Sequence, residues 1–183
     1  MEPKISASNK SDSKDVWVFF ALTLLISWVI WIFMILFIPS EGQLPVMLIG
    51  GFGPFISAII TLWIFEGKMS VKQWLKHTFN IRINPIWYVV GGLLLPILIG
   101  LTHHAAYLFA GGKSGFSYNQ PWGIYVASLI STTLLGGGNE EPGWRGFATP
   151  RLMKKFHPII ANVIVSIFWV GWCQGPSFCT THK

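Results

Sequence analysis

The chain has 183 residues, of which 52% are hydrophobic and 11% are charged, and it contains ten tryptophans and fourteen phenylalanines. This composition is typical of a membrane protein and excludes an ordinary soluble domain. The formal net charge of +6 does not indicate nucleic acid binding, because the basic residues stand between apolar runs, where the positive-inside rule accounts for them. We therefore expect the lipid bilayer as a partner and no nucleic acid.

Five apolar segments predict an all-α fold, a polytopic transmembrane helical bundle of about five spans. Residues 1–15 are polar and predict a cytoplasmic tail. The first span, Val16 to Ile38, has 23 residues without a charge, enough to cross about 30 Å of hydrocarbon. The other predicted spans cover residues 44–65, 86–110, 122–135 and 159–172.

Lysine and arginine alternate along the chain in a way that predicts its orientation. They are frequent in the tail, in the amphipathic connector 66–85 and in the loop 145–157, and scarce in the two loops between. This alternation places the N-terminus in the cytoplasm. We expect an integral, multi-pass protein in the plasma membrane of a prokaryote. Residues 16–172 are expected to form one membrane domain. Residues 173–183 are expected to form an irregular tail, because Gly175 and Pro176 break helices.

Two adjacent carboxylates, Glu140 and Glu141, follow the fourth apolar segment in the stretch GGGNEEPGWRGFATPRL, residues 136–152. An ionisable side chain at membrane depth costs about 2.5–3.5 kcal/mol on insertion scales, so it indicates a functional site. On a helix, Glu141 and Arg145 are i,i+4 neighbours and can pair, which leaves Glu140 as the freer acid. Burial and the like-charged neighbour should raise the pKa of the acids, and Arg145 should oppose that rise. Such a carboxylate is suited to take a proton from water.

The same residues have a second interpretation. Glu140 and Glu141 could begin a cytoplasmic loop in which Arg145 is an ordinary positive-inside residue, and a short E-E-x-x-x-R string does not decide between the two. In the first interpretation, charges paired in low dielectric are costly to break, because removing one leaves the other unpaired. Arg145→Ala is therefore expected to lower the amount of folded protein as well as any activity.

The whole stretch from 136 to 152 resembles the first motif of the CAAX protease and bacteriocin-processing family of intramembrane proteases. The matching residues are Glu140, Glu141, Gly143, Trp144, Arg145, Gly146, Pro150, Arg151 and Leu152. The resemblance implies a membrane-embedded metallo- or glutamic endopeptidase that cleaves a peptide or membrane protein near the membrane surface. It implies that Glu140 activates water, that Glu141 is its partner, and that Arg145 orients and balances the acids.

The second motif of that family is altered here. Residues 162–172, NVIVSIFWVGW, resemble the span that carries it, but Cys173 stands where the family has histidine, and the third motif has no counterpart. Two hypotheses follow: a fragment of a longer member, cut or frameshifted near codon 173, or a short paralogue. The competing functions are a catalytically inactive member that acts by binding, as in bacteriocin immunity, and a small transporter, which does not fit the first motif.

Metal ligation stays open at the level of sequence. The resemblance suggests zinc as a possible cofactor, and His103-His104 in the third span could supply ligands, but no H-E-x-x-H pattern is present. A polar helix–helix interface or the distant headgroup region accounts for these histidines better. Cys173 and Cys179 match no zinc or redox spacing, and Cys173 has no partner base that would make it a nucleophile.

Overall fold

The computed structural model describes residues 14–80, 82, 84–112, 127, 130–131, 133–135 and 137–180. Every regular secondary-structure element in these ranges is a helix, which confirms the predicted all-α fold. The described residues fall into two compact units. The first contains those up to Thr78 and those from 127 onward, and the second contains those from Phe79 to 112.

The first unit begins with a long helix, α1 (Lys14–Phe37), followed by the 3₁₀ turn Ser40–Gly42. Its other helices are α2 (Gln43–Gly50), α3 (Gly53–Glu66) and α4 (Lys68–Thr78), and, further along the chain, α7 (Glu141–Gly143), the π-helix Trp144–Ala148, α8 (Thr149–Leu152) and α9 (Pro158–Thr180). The second unit holds α5 (Ile86–Val89), the π-helix Val90–Leu94 and α6 (Leu95–Phe109).

Three helical stretches of the described chain are long and apolar enough to cross a membrane: Lys14–Phe37, Ser40–Glu66 and Pro158–Gly175. They correspond to the first, second and fifth predicted spans. The third predicted span is helical from Ile86 to Phe109. Most of the fourth, 122–135, lies outside the described residues, as does the tail up to residue 13.

The core of the first unit forms where α1 packs against α2, α3 and α9. Its largest fully buried side chains include Phe19, Phe20, Trp31 and Trp144. Close approach of the helices requires small residues, since a methyl group added to Gly53 would overlap the Ser27 hydroxyl. That hydroxyl donates a hydrogen bond of 2.8 Å to the carbonyl of Gly50.

The predicted irregular tail is wrong for residues 173–180, because α9 continues through Cys173 to Thr180. Gly175 acts there as a packing residue, since an added methyl group would overlap the ring of Trp31. A proline in a membrane helix is tolerated where its surroundings satisfy the freed backbone groups. The fifth span is therefore longer than the predicted 159–172, since the apolar helical stretch runs from Pro158 to Gly175.

The predicted cytoplasmic tail is also wrong at its end, because α1 begins at Lys14 and Asp15 is buried. Burial of this carboxylate is possible because Arg151 pairs with it, at 3.0 Å from Nε to Oδ2. The same guanidinium contacts Glu66 at 2.5 Å and lies over the Phe147 ring, 3.9 Å from its centroid. Arg151 thus joins the start of α1 and the end of α3 to α8.

Candidate functional site

The acidic pair lies where regular helix gives way to irregular backbone. Residues 137–140 form a turn, Glu141–Gly143 is a single helical turn that contains Pro142, and a π-helix follows at Trp144. Proline lacks an N–H group and disturbs a continuing helix, so an irregularity at this position is the expected consequence of the sequence. Single π-helical turns within helices are frequent at functional sites.

Glu140 is the buried acid of the pair, with 8% of the residue exposed. Its Oε2 atom accepts two hydrogen bonds from indole groups, one from Trp144 Nε1 at 3.0 Å and one from Trp169 Nε1 at 3.1 Å. No described residue donates a hydrogen bond to Oε1. Glu140 is therefore separate from the arginine, as predicted, but its carboxylate is held at one oxygen rather than free.

The acid–base balance of Glu140 follows the sequence-based expectation. Glu140 lies in the turn before α7, outside the three candidate spans, and burial raises the pKa of its carboxyl group. The two indole hydrogen bonds oppose that rise, the neighbouring Glu141 adds to it, and Arg145 lowers it again. The net direction is upward, which favours a carboxyl group that can accept and release a proton.

Glu141 and Arg145 form the predicted i,i+4 pair, with 3.4 Å between Arg145 Nε and Glu141 Oε2. Both side chains are about half exposed, at 51% for Glu141 and 56% for Arg145. Exposed pairs contribute about 0–1 kcal/mol. The pair is therefore not buried, and it gives no reason to expect a large loss of folded protein after Arg145→Ala. Arg145 also interacts electrostatically with Glu140 at longer range.

Asn139 is a buried amide directly before Glu140. Its Oδ1 accepts a hydrogen bond of 3.1 Å from the backbone N–H of Gly137, which fixes the orientation of the amide group. Its Nδ2 donors have no hydrogen-bond partner in the described part of the chain. An unpaired buried donor costs about 1–3 kcal/mol, so it is a feature that calls for a ligand or water.

Trp144 and Trp169 are the site residues that sequence reasoning missed. Trp144 was recognised only as part of the first motif, and Trp169 only as part of the altered second one. Residues 144 and 140 are i,i+4 neighbours, which was a usable signal for one contact. The contact from Trp169 depends on how α9 packs beside the turn, and nothing in the local sequence indicates that.

No ligand set for zinc is found among the described residues. A catalytic zinc site normally uses three protein ligands, and the described ranges contain no group of three histidine, cysteine, aspartate or glutamate side chains that could hold a metal ion. Cys173 is near enough to Glu140 for the two to interact electrostatically. His104 lies on α6 in the other unit, and the side chain of His103 is outside the described set. Zinc binding therefore stays an expectation from the resemblance.

Comparison with known proteins agrees with the first motif. A family model described as type II CAAX prenyl endopeptidase Rce1-like matches residues 120–180, which include Glu140, Trp144 and Trp169. A curated relative, CAAX prenyl protease 2 from Methanococcus maripaludis, is 28% identical over 130 residues, covering 69% of this chain and 48% of the relative. Both matches support the CAAX protease family.

Both matches are partial. The chain spans about half the length of the curated relative it matches. No solved structure matches it. The family and the relative support a membrane protease of this class.

Proposed function

We propose that this chain is an intramembrane endopeptidase in which Glu140 activates water to cleave a peptide bond. The observation that carries the proposal is the state of the Glu140 carboxylate. It is buried, one oxygen is held by two indole donors, and the other oxygen has no donor among the described residues. An enzyme base needs this combination of fixed position, adjusted pKa and one unoccupied lone pair.

The reaction balances with Glu140 as the only proton carrier. Oε1 takes a proton from water while the water oxygen attacks the carbonyl carbon of the scissile peptide bond. The carbon–nitrogen bond then breaks, and the proton on Glu140 passes to the departing amine nitrogen. The products are a carboxylic acid and an amine, and the proton of the new acid then passes to the amine or to water. Charge that develops on the carbonyl oxygen needs a donor, and the unpaired Nδ2 of Asn139 is a suitable group in the same turn.

Glu141 and Arg145 have a supporting role in this proposal. Their pair keeps the second carboxylate beside a guanidinium, so that Glu140 does not face an uncompensated charge. Arg145 also lowers the pKa of Glu140 and therefore favours its basic form. Neither side chain has to contact the substrate for this effect.

The proposed substrate is a peptide that ends near the membrane surface, and a prenylated CAAX peptide is the first to test because of the relative's name. The purified chain in lipid vesicles is expected to cleave such a peptide, and Glu140→Gln to lower the rate by about 100-fold or more. Glutamine keeps an oxygen for both indoles but cannot accept the proton. Glu41→Gln, an exposed change in the 3₁₀ turn, is the matched control and should leave the rate unchanged.

A second function is favoured by one specific observation. Cys173 stands where the second motif of the family has histidine, and it interacts electrostatically with Glu140. A family member without that base could act by binding a peptide rather than cleaving it. The vesicle assay separates the two functions, because a binding protein would retain the peptide with no cleavage in either the unaltered chain or Glu140→Gln.

We further propose a cytoplasmic N-terminus in a prokaryotic plasma membrane. Arg151 contacts both Asp15 at the start of α1 and Glu66 at the end of α3, so these ends lie together. This contact supports a shared side for the three basic segments to which Asp15, Glu66 and Arg151 belong or which they adjoin. Labelling of a cysteine introduced in the turn 40–43 should succeed from outside the cell, and labelling only from the cytoplasm would reject this orientation.

A further inference from the structure

Two tryptophans from different parts of the chain converge on one carboxylate oxygen. Trp144 opens the π-helix that follows α7, and Trp169 lies on α9, yet both indole N–H groups donate to Glu140 Oε2. Hydrogen bonds to an ionised oxygen are roughly twice as strong as neutral ones. An indole N–H can donate but cannot accept. The two tryptophans can therefore hold the carboxylate, but they cannot take its proton.

The Trp144 ring is itself held firmly. It is fully buried and meets Phe19 and Trp172 in edge-to-face contacts, with ring centroids 5.5 and 6.0 Å apart. Trp172 in turn donates a hydrogen bond of 2.7 Å to the Ser27 hydroxyl. A donor fixed by packing on several sides keeps its direction when the charge on its acceptor changes.

The second carboxylate oxygen faces a glycine. A methyl group added to Gly137 would lie 3.9 Å from Glu140 Oε1, so no side chain stands on this side of the turn at that position. Gly137 has φ +148°, a conformation that favours glycine. The two oxygens of Glu140 therefore have different surroundings, with indole donors at Oε2 and glycine backbone beside Oε1.

We propose that Trp144 and Trp169 are positioning residues that fix Glu140 Oε2 and so present Oε1 to the attacking water. The proposal rests on the endopeptidase function proposed above, and it adds how that base is oriented. Loss of one indole donor lets the carboxylate rotate and removes support for its charged form. Among the described residues, the charged and titratable groups that interact electrostatically with Glu140 are Glu141, Arg145 and Cys173, and substitution of an indole replaces none of them.

Trp169→Phe is the informative variant, because phenylalanine keeps an aromatic ring but lacks the N–H donor. Trp169 is 42% exposed, so the change leaves the core intact. We expect kcat to fall about tenfold with KM within about twofold, as for loss of one hydrogen bond to a charged group. The acidic limb of the pH–rate profile should move to higher pH, because the lost donor favoured the ionised form.

Trp28→Phe is the matched control, since the Trp28 indole N–H is buried on α1 and has no hydrogen-bond partner in the described part of the chain. It should leave kcat, KM and the pH profile unchanged. A Trp169→Phe profile that coincides with that of Trp28→Phe would overturn the positioning role.

A measurement that needs no turnover separates this proposal from the proposed function. The infrared carbonyl band of protonated Glu140, assigned by its loss in Glu140→Gln, can be titrated in the unaltered chain and in Trp169→Phe. We expect the midpoint to rise in Trp169→Phe, even if the chain cleaves no peptide. An unchanged midpoint overturns the positioning role, whereas absence of cleavage with a shifted midpoint overturns only the endopeptidase.

Discussion

Replacing Arg151 by alanine is expected to destabilise the first unit far more than replacing Arg145. The Arg151 side chain is 15% exposed and its partner Asp15 is 5% exposed, so the substitution removes a guanidinium that pairs with a buried carboxylate. Breaking a buried pair in this way costs about 3–5 kcal/mol. Water can replace the contact to the more exposed Glu66, so we expect a loss of about 3 kcal/mol in the free energy of unfolding. Loss of the half-exposed Arg145 should cost about 0.5 kcal/mol.

The free energy of unfolding can be measured by titrating the protein in mixed micelles with a denaturing detergent and following tryptophan fluorescence. Lys154→Ala removes a nearby exposed cation that has no ion pair among the described residues, and it should have almost no effect. Asp15→Asn combined with Arg151→Ala should cost less than the sum of the two single changes, because the partners interact directly. If Arg151→Ala cost no more than Arg145→Ala, the buried network would not hold the helix ends together.

Two further predictions concern close packing and a buried donor. Gly143→Ala should lower the free energy of unfolding by about 1–3 kcal/mol, because the new methyl group would lie 2.5 Å from the Pro54 carbonyl oxygen. Gly171→Ala on α9 is the control and should have no such effect, because its methyl group would meet no atom within 4 Å. Detergent titration of both variants checks this, and equal stabilities would contradict it. Ser27→Ala should cost about 1–3 kcal/mol because it leaves the Trp172 N–H without its acceptor, and Trp172→Phe in the same background should recover part of the loss if that reason is correct.

Sequence alone predicted the features that depend on local pattern. Charge-free runs of sufficient length identified α1 and the α2–α3 span, since crossing a bilayer sets a length that can be counted. The spacing of Glu141 and Arg145 predicted their pair, because helical geometry fixes which neighbours can meet. The first motif identified the family that the comparisons support.

The features that sequence did not predict depend on contacts between distant segments. Asp15 and Arg151 are far apart in sequence, so the local pattern around Asp15 indicates only a polar tail and not their ion pair. The hydrogen bond from Trp169 to Glu140 requires α9 to lie beside the turn. Gly175 was read as a helix breaker, because its role as a packing residue against Trp31 appears only once both helices are placed.

Direct attack by a water molecule that Glu140 activates is tested most directly by single-turnover cleavage in water labelled with heavy oxygen. The chain, in excess over a prenylated CAAX peptide, is mixed in labelled water, and the new carboxylate of the product is analysed by mass spectrometry. We predict one labelled oxygen in the product of the first turnover, and product formation at least about 100-fold slower with Glu140→Gln. An unlabelled first product, with the label found instead in Glu140, would show that the carboxylate attacks the peptide itself and would contradict water activation.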